Sequence, residues 1–502
     1  MFDKRTLIQW EKAYVSVHSW KTAMKTYSDL RDFLFKVEEM GELKRIQGAD
    51  WDLEIGGITE VAANLNPPPA LLFESIKGVP NEYRLCSNTV RSTKRCALAL
   101  NIDPVLSPVS ALNEWRNRRK SYSPVRPKEV SDGPVTENIL EGDMIDIEKF
   151  PSPRWHENDG GRYLGSGAIT VMQDPEEGWV NLAIYRIMVH DKSMLALHVD
   201  HPGRHGAIIA QKYWTKNKNC PVAIICGADP ALFLASAENL AWGSSEYDFA
   251  GWIKSSPVPV MRGKATDLPV PSNAEIIIEG EIPPVETLSL PEGPFGEFTG
   301  YYASGVTPAF AVKVKRISHR DKPILSGEPP LKPPAATLGL PLPAGSVWND
   351  IESTGISDVK GVWQHVYRMF TVISIKQRYS GHAVRAGLVA ASSSSSGYIG
   401  RIVVVVDDDI DVTKVGDVLW AIATRCEPSE DINIINGGWS SSLDPRLLPK
   451  KKAEGNYTNS KIIIIACKPF SWMKDYPKEN RMSETLRLAI ERKWLPMLSS
   501  SS

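Results

Sequence analysis

The segment PVAIICGADPALFLASAENL, residues 221–240, carries the change of pattern that decides the class of fold. Pro221–Cys226 is a short apolar run of strand type, Gly227-Ala228-Asp229-Pro230 is a turn, and Ala231–Leu240 reads as a helix. Asp229 stands at the helix N-cap and Pro230 at the first helical position, where a missing N–H costs nothing. Strand, tight turn and capped helix in succession belong to an α/β or α+β chain, and such units place ligands at the carboxyl edge of the strand.

Downstream, Ala274–Gly280, Ala309–Ile317 and Ile324–Ser326 read as further strands before the break Glu328-Pro329-Pro330-Leu331-Lys332-Pro333-Pro334. Past that break, Val366–Gln377, Ile402–Val406 and Lys461–Ala466 have strand character, while Val415–Ala423 and Ser483–Lys493 read as helices. Upstream, Ala168–Met172 and Trp179–His190 flank the turn Asp174-Pro175-Glu176-Glu177-Gly178 and form a predicted hairpin. Leu30, Phe33, Leu34 and Val37 mark an amphipathic helix, with a second helix expected near Ile58–Leu65 and a linker at Ser121–Gly133. Five units result: a 1–26 extension, an N-terminal α/β portion over 27–130, a central domain over 131–328, an α/β domain over 335–480, and a helix with tail over 481–502. Trp10, Tyr14, Val15, Val17 and Trp20 make the extension an added helix that packs on the body or on a partner chain. The serine runs Ser392–Ser396 and Ser499–Ser502 are of low complexity and are expected to be mobile.

A chain of 502 residues with 58 basic and 59 acidic residues has no net field to draw it to nucleic acid or to an anionic membrane. Its expected partners are a small molecule and further copies of itself. Cys86, Cys96, Cys220, Cys226, Cys426 and Cys467 include no C-x-x-C pair, so neither a disulfide framework nor a zinc ribbon is indicated and a reducing, cytosolic compartment is expected. The first 25 residues lack the apolar core of a signal peptide, and no apolar run of about 18 residues occurs to span a bilayer.

Glu292-Gly293-Pro294-Phe295-Gly296-Glu297 holds two carboxylates five residues apart on a segment that cannot be an ordinary helix. Such a loop can aim its acids into a pocket that separates their proton affinities, as general acid work requires; taken alone it also reads as a solvated surface turn. Four of nine histidines, His190, His198, His201 and His205, fall within sixteen residues, but Pro202 and Gly203 interrupt any metal-helix spacing. One imidazole beside Arg204, at the entry to a helix over Gly206–Tyr213, is placed to meet a phosphate. Arg186 interrupts the apolar strand pattern Asn181-Leu182-Ala183-Ile184-Tyr185; buried, it needs a carboxylate partner, and at an edge it would point to solvent. Glu246 has small and hydroxyl neighbours that suit an oxygen ligand for a hard cation, whereas Asp407-Asp408-Asp409-Ile410-Asp411 reads as a turn former and cap.

The segments D-G-G-R-Y (159–163), N-L-A-I-Y-R (181–186), G-R-H (203–205), S-E-Y-D-F-A-G (245–251), E-G-P-F-G-E (292–297) and D-D-D-I-D-V with L-W-A-I-A-T-R (407–425), in that order, resemble the UbiD family of reversible decarboxylases that use prenylated FMN. The resemblance runs from Tyr27 to the C-terminal helix. It implies an N-terminal α/β portion, a central flavin-binding split β-barrel and a C-terminal α/β domain that mediates dimerisation. It also implies that Asn181, His205 and Glu246 bind a divalent metal, usually manganese, that bridges the cofactor phosphate, with potassium nearby on Glu246 and the backbone of Ser236 and Arg425. Residues Asn181, Leu182, Ala183, Ile184, Tyr185, Arg186, Arg204 and His205 match cofactor-contacting positions, and Arg186, Glu292 and Glu297 match the catalytic set, with Glu297 the proton donor. A flavin prenyltransferase is the implied supplier of the cofactor.

Losing carbon dioxide from an sp² carbon leaves an electron pair that no side chain can store, so a cofactor must be the sink. Ferulic and cinnamic acid decarboxylases of the family carry Met-His after the second glutamate. This chain has Phe298-Thr299, followed by Gly300-Tyr301-Tyr302, which resembles the vanillate and hydroxybenzoate branch. A phenolic benzoate is therefore the expected substrate, ahead of a cinnamic or heteroaromatic acid. A metal-dependent hydrolase, with Glu246 and His205 on the ion and Glu297 activating water, is the alternative from another class.

Overall fold

The computed structural model of the chain describes residues 27–165, 167–199, 201–335 and 338–499, and the expected helix of the 1–26 extension lies outside them. Asp29 caps helix α1 (Leu30–Glu39) by accepting from the Asp32 N–H, and the buried stripe is Leu30, Phe33, Leu34 and Val37, as the helical spacing requires. The second helix, α2 (Glu54–Ala63), starts four residues before the expected Ile58. Gly56 and Gly57 disguised its first turn, and Gly56 is needed there because a β-carbon would meet the Trp155 carbonyl oxygen at 1.8 Å. Strands β1 (Leu43–Gln47), β2 (Ala70–Glu74) and β3 (Arg84–Ser87) form a sheet whose fourth strand is Ile324–Ser326, parallel to β3. The last strand before the proline-rich break thus returns to the N-terminal sheet rather than staying with the central one.

The central region is a ten-stranded sheet built from β4 (Arg162–Gly165), β5 (Ile169–Gln173), β6 (Val180–Ile184), β7 (Arg186–Val189), β8 (Met194–His198), β9 (Cys220–Cys226), β10 (Ile276–Ile282), β11 (Ser289–Glu292), β12 (Thr307–His319) and the strand Asn138–Glu141. Its order is β4-β7-β8-β12-β10-β9-β5-β6, with β11 and Asn138–Glu141 both on β12. The hairpin over β5 and β6 forms with Met172 opposite Asn181. Trp179–His190 is not one strand, however. At Tyr185 the chain leaves β6, at one end of the sheet, and enters β7, next to the other end. A single residue of about 3.8 Å reach joins the two ends, so the sheet has to curl on itself, which gives the split barrel.

Helices α3 (His205–Trp214), α4 (Pro230–Ser236) and α5 (Glu246–Lys254) pack on this barrel. Asp229 caps α4 through the Ala231 N–H at 2.8 Å, but the helix ends at Ser236 rather than Leu240. A small sheet of Lys128–Glu129, Pro259–Arg262 and Pro269–Pro271 lies to one side, so the expected linker contains a paired strand.

In the C-terminal region, α6 (Leu342–Ser353) and α7 (His382–Ser392) join a sheet of order β13-β14-β15-β17-β16. Its strands are β13 (Val359–Gln364), β14 (Phe370–Ile375), β15 (Ile402–Asp407), β16 (Ile432–Trp439) and β17 (Thr458–Ala466), followed by α9 (Glu484–Ser499) after α8 (Val415–Arg425). Only part of the expected Val366–Gln377 strand forms, because Val366–Arg368 closes a tight turn between β13 and β14. Val403 to Val406 are all buried, the continuous apolar run of a strand covered on both faces. One apolar core runs from Phe33 in α1 through Trp115 and Phe249 to Ile373 and Val405, and a second fills the barrel. No helix among the described residues is long and apolar enough to cross a membrane.

Two polar runs have structural roles. The serines after α7 are not a mobile tract: Ser393 and Ser396 are buried, and Ser393 Oγ donates to Asp350 Oδ2 at 2.5 Å while accepting from the Ser395 N–H. The acidic run Asp407–Asp411 is neutralised from within, because Arg425, whose side chain is 1% exposed, pairs with Asp407 (3.0 Å) and Asp409 (2.7 Å), and Lys468 also reaches Asp409. Nearby, buried Lys461 donates to three backbone carbonyls, those of Gly397, Gly400 (2.8 Å) and Trp439 (3.1 Å), and burial pushes its ammonium down to about 8. Lys461→Met strands those acceptors. It is expected to destabilise the C-terminal sheet by on the order of 3 kcal/mol, read as a lowered urea midpoint.

Candidate functional site

Arg186 opens β7 directly opposite His198 of β8, and its side chain points inward rather than to solvent. Nη1 donates to Glu297 Oε1 at 2.7 Å and Nη2 to Glu292 Oε2 at 2.8 Å, so one buried guanidinium bridges the two acids of the 292–297 turn. Each bond is charge-assisted, and together they balance the guanidinium charge with carboxylates, while its buried Nε has no hydrogen-bond partner among the described residues. Glu292 is fully buried at the end of β11. Its Oε1 accepts from the Tyr163 hydroxyl at 2.9 Å, and its Oε2 lies 3.2 Å from His198 Nδ1. Burial alone would raise the Glu292 carboxyl, but the hydrogen bond to His198 and the Arg186 charge outweigh it and hold the group below the usual carboxylate range. Tyr163 is pushed well above an ordinary phenol by burial and by the neighbouring Glu292 charge.

The turn between the acids is fixed by packing. Gly293 has φ +90°, which favours glycine, and a β-carbon there would also come within 2.8 Å of the Gly305 carbonyl oxygen. Phe295 is buried with its ring centroid 4.1 Å from that of Tyr163. The Glu297 N–H donates to the Tyr301 carbonyl at 3.0 Å and its own carbonyl accepts from Gly300 N–H at 2.8 Å. Glu297, with a side chain 15% exposed, lines a cavity of about 420 Å³ together with Trp155, His156, Tyr301, Tyr302 and Lys332. One acid is thus deep and ionised, and the other faces a space that a small molecule can enter.

A second cluster lies on the preceding strand and the starts of two helices. Asn181 is in β6, His205 is the first residue of α3 and Glu246 is the first of α5. Asn181 Oδ1 and His205 Nδ1 stand 3.3 Å apart, near the spacing of about 3 Å that two ligands of one octahedral cation adopt with bonds of about 2.1 Å. Glu246 is 3% exposed, accepts from the Leu182 N–H at 2.7 Å and pairs with no cationic side chain among the described residues, so burial pushes it up to about 8. His205 is lowered by burial and by Arg204, and the buried Asn181 Nδ2 has no hydrogen-bond partner. The Glu246 carboxylate, held by the Leu182 N–H next to Asn181, together with the His205 imidazole and the Asn181 amide oxygen, offers the donor types that suit a manganese-like ion. His205 is boxed by Trp179 and Trp242, at ring centroids 5.6 and 5.2 Å. The start of α3 has no side-chain cap from Arg204, although its Gly206 N–H is taken by the Tyr185 hydroxyl, and such a helix N-terminus suits an anion.

Of the remaining expected positions, Leu182 is buried, Ala183 and Ile184 are half-buried, and the Tyr185 hydroxyl accepts from the Gly206 N–H at 3.3 Å. Ser236 ends α4, with its hydroxyl donating to the Leu232 carbonyl, and Arg425 ends α8 within its carboxylates; no hydrogen bond or ion pair among the described residues joins the two. Within the histidine cluster, His190 and His201 are exposed, whereas His198 lies 3.2 Å from Glu292 and His205 3.3 Å from Asn181. The role of His198 was not legible because β-pairing, not sequence spacing, sets it opposite Arg186. Tyr163 stood in the D-G-G-R-Y segment without a role attached.

Three family profiles match in order. The 3-octaprenyl-4-hydroxybenzoate carboxy-lyase N-terminal domain covers residues 34–114, the Rift-related domain 128–333 and the C-terminal domain 336–466. A phenolic acid decarboxylase of Streptomyces sp. (strain D7) is 31% identical over 88% of this chain and 92% of its own length. A pyrrole-2-carboxylic acid decarboxylase of Pseudomonas aeruginosa is 32% identical over 80% and 84%. Among solved structures, the UbiD-class enzyme HmfF from Pelotomaculum thermopropionicum in complex with FMN has a TM-score of 0.81 at 27% identity, covering 92% of this chain and 99% of that one. An evolved dimeric form of it in complex with prFMN has a TM-score of 0.77 at 27% identity, covering 92% and 98%.

A carboxyl held below its unfolded value contributes stability that is present above that unfolded value and is lost as pH falls through the folded one. Glu292→Gln is therefore expected to cost most stability near neutral pH. The gap to the parent protein should narrow as pH falls through the lowered Glu292 carboxyl, since both then carry an uncharged group, and denaturant titrations at several acidic pH values read it.

Proposed function

Because the chain belongs to the UbiD family of carboxy-lyases, we propose that it releases carbon dioxide reversibly from a phenolic benzoate-type acid, using prenylated FMN and Glu297 as the proton donor. Prenylated FMN, when bound, supplies the electron sink for the pair left on the ring carbon. The chain supplies everything else. Arg186 fixes both acids and keeps Glu292 ionised, with Tyr163 and His198 completing the shell. With Oε1 of Glu297 accepting from Arg186, the transferable proton is carried on Oε2 and delivered to the carbon that carbon dioxide has left. In the reverse direction the same carboxylate takes that proton back.

Asn181, His205 and Glu246 hold a divalent ion, manganese by donor type, and the start of α3 with Arg204 receives the cofactor phosphate beside it. The stretch Leu182, Ala183 and Ile184 of β6 with Tyr185 beyond it runs along the cofactor, touching it by backbone and by the side chains on the near face, and potassium on Glu246 with the backbone of Ser236 and Arg425 belongs to the same reading. A flavin prenyltransferase supplies the cofactor. Exposed Ile434 and Trp439 on edge strand β16, with Leu419 and Trp420 on α8, support pairing of C-terminal domains into a homodimer. The cysteines are unpaired among the described residues, in keeping with a cytosolic setting.

The observation that carries this reading is the single buried guanidinium between a fully buried glutamate and a cavity-lining one. Glu297→Gln tests it. The variant is expected to keep its flavin absorbance and metal content while carbon dioxide release falls about 100-fold or more, because an amide cannot donate the acid proton. Ordinary turnover in that variant would remove Glu297 from the role.

A further inference from the structure

Three residues of the D-G-G-R-Y segment, Asp159, Gly160 and Tyr163, bear on the acid-bearing turn or on the loop that follows it. Tyr163 holds Glu292 by its hydroxyl. A β-carbon at Gly160 would lie 2.0 Å from the Gly293 carbonyl oxygen, and the Gly160 N–H donates to the Pro294 carbonyl at 2.8 Å, so residue 160 lies directly against the backbone between the two acids. Asp159 reaches the far end. Its fully buried side chain accepts the Tyr302 hydroxyl on Oδ1 at 3.0 Å and the His156 backbone N–H on Oδ2 at 3.0 Å. Tyr302 in turn pairs with Gly296, the residue before Glu297. The His156 ring lies beside Gly296, 3.9 Å from where a β-carbon would stand, with Nδ1 3.7 Å from Asp159 and Nε2 3.8 Å from Glu60 of α2.

We propose that Asp159, acting through the Tyr302 hydroxyl, is a positioning residue that sets the height of the Glu297 carboxyl in the cavity. The inference rests on Glu297 being the proton donor. Arg186 restrains Glu297 by its side chain only; the backbone of residues 296–302 is a loop whose closing pair is Gly296 with Tyr302, and Asp159 is the buried anchor of that pair. An ionised carboxylate can accept both donors at once, which an amide oxygen does less well, so the residue type follows from the geometry. Displacing a reacting group by about 1 Å costs on the order of 100-fold in rate, and the anchor therefore acts on turnover rather than on substrate affinity.

The test compares Tyr302→Phe, Asp159→Asn, the double variant and Glu297→Gln in the holoenzyme. Each single anchor variant is expected to lose about tenfold or more in kcat with KM within about twofold and flavin absorbance unchanged, and the double variant is expected to be no slower than Asp159→Asn alone, since Asp159 acts on the loop through the Tyr302 hydroxyl. Unchanged kcat in Tyr302→Phe, or losses that multiply in the double variant, would overturn the proposal. Should Asp159→Asn fail to fold, Tyr302→Phe decides alone. A dead Glu297→Gln beside fully active anchor variants would reject only the positioning role, whereas an active Glu297→Gln would reject the donor assignment beneath it.

Discussion

A buried arginine between two glutamates is the constraint on which the structure turns. Taking a guanidinium and a carboxylate out of water is costly, and the attraction between them offsets that cost only when the geometry is good and the remaining lone pairs are satisfied. Here Arg186 meets both acids at 2.7 and 2.8 Å, and the other oxygen of Glu292 takes the Tyr163 hydroxyl. Removing Arg186 strips both acids of their shared cation, and removing either acid takes one of the two carboxylates from the guanidinium. The three are therefore a structural unit as much as a chemical one, and the surrounding fold can be read as what keeps them in register.

The curl of the barrel is the first part of that fold. Because β6 and β7 are separated by Tyr185 alone, Asn181 and the guanidinium of Arg186 sit on one short stretch of chain, at the meeting of the sheet's two ends. Tyr185 itself meets the Gly206 N–H in the first turn of α3, next to His205. Two sites whose members are each spread along the sequence, the Asn181–His205–Glu246 cluster and the Arg186–Glu292–Glu297 set, are thereby tied together through that stretch. The acid-bearing turn also lies where all three regions of the chain converge: His156 stands between it and Glu60 of the N-terminal region, and Phe298 packs on Tyr367 of the C-terminal region at 4.7 Å between ring centroids.

Much of this was legible in the residues. An arginine inside an apolar strand signals a carboxylate partner, and glycines around Pro294 signal a turn held by close backbone approach, and both signals are local. The capped start at Asp229-Pro230 and the stripe of α1 are local too. What remained hidden depends on pairing between distant segments. His198 faces Glu292 only because β8 lies beside β7, and Asp159 becomes an anchor only once the 156–163 segment crosses the acid turn. The break at Tyr185 is marked by no glycine, proline or other turn residue, and Ile187-Met188-Val189 continues the strand character beyond Arg186. Edge strand β16 was missed for a related reason: Gly437 and Gly438 and a bulge interrupt its alternation. The serine run misled because low complexity was equated with mobility, although hydroxyls can be satisfied inside a fold.

The most direct measurement is an absorption spectrum and mass analysis of the full chain co-expressed with a flavin prenyltransferase, followed by carbon dioxide release from protocatechuate, vanillate and cinnamate. Prenylated FMN bound to the protein, with release from a phenolic acid, is the expected result. Protein that takes up no flavin and releases no carbon dioxide from any of the three acids would contradict the account.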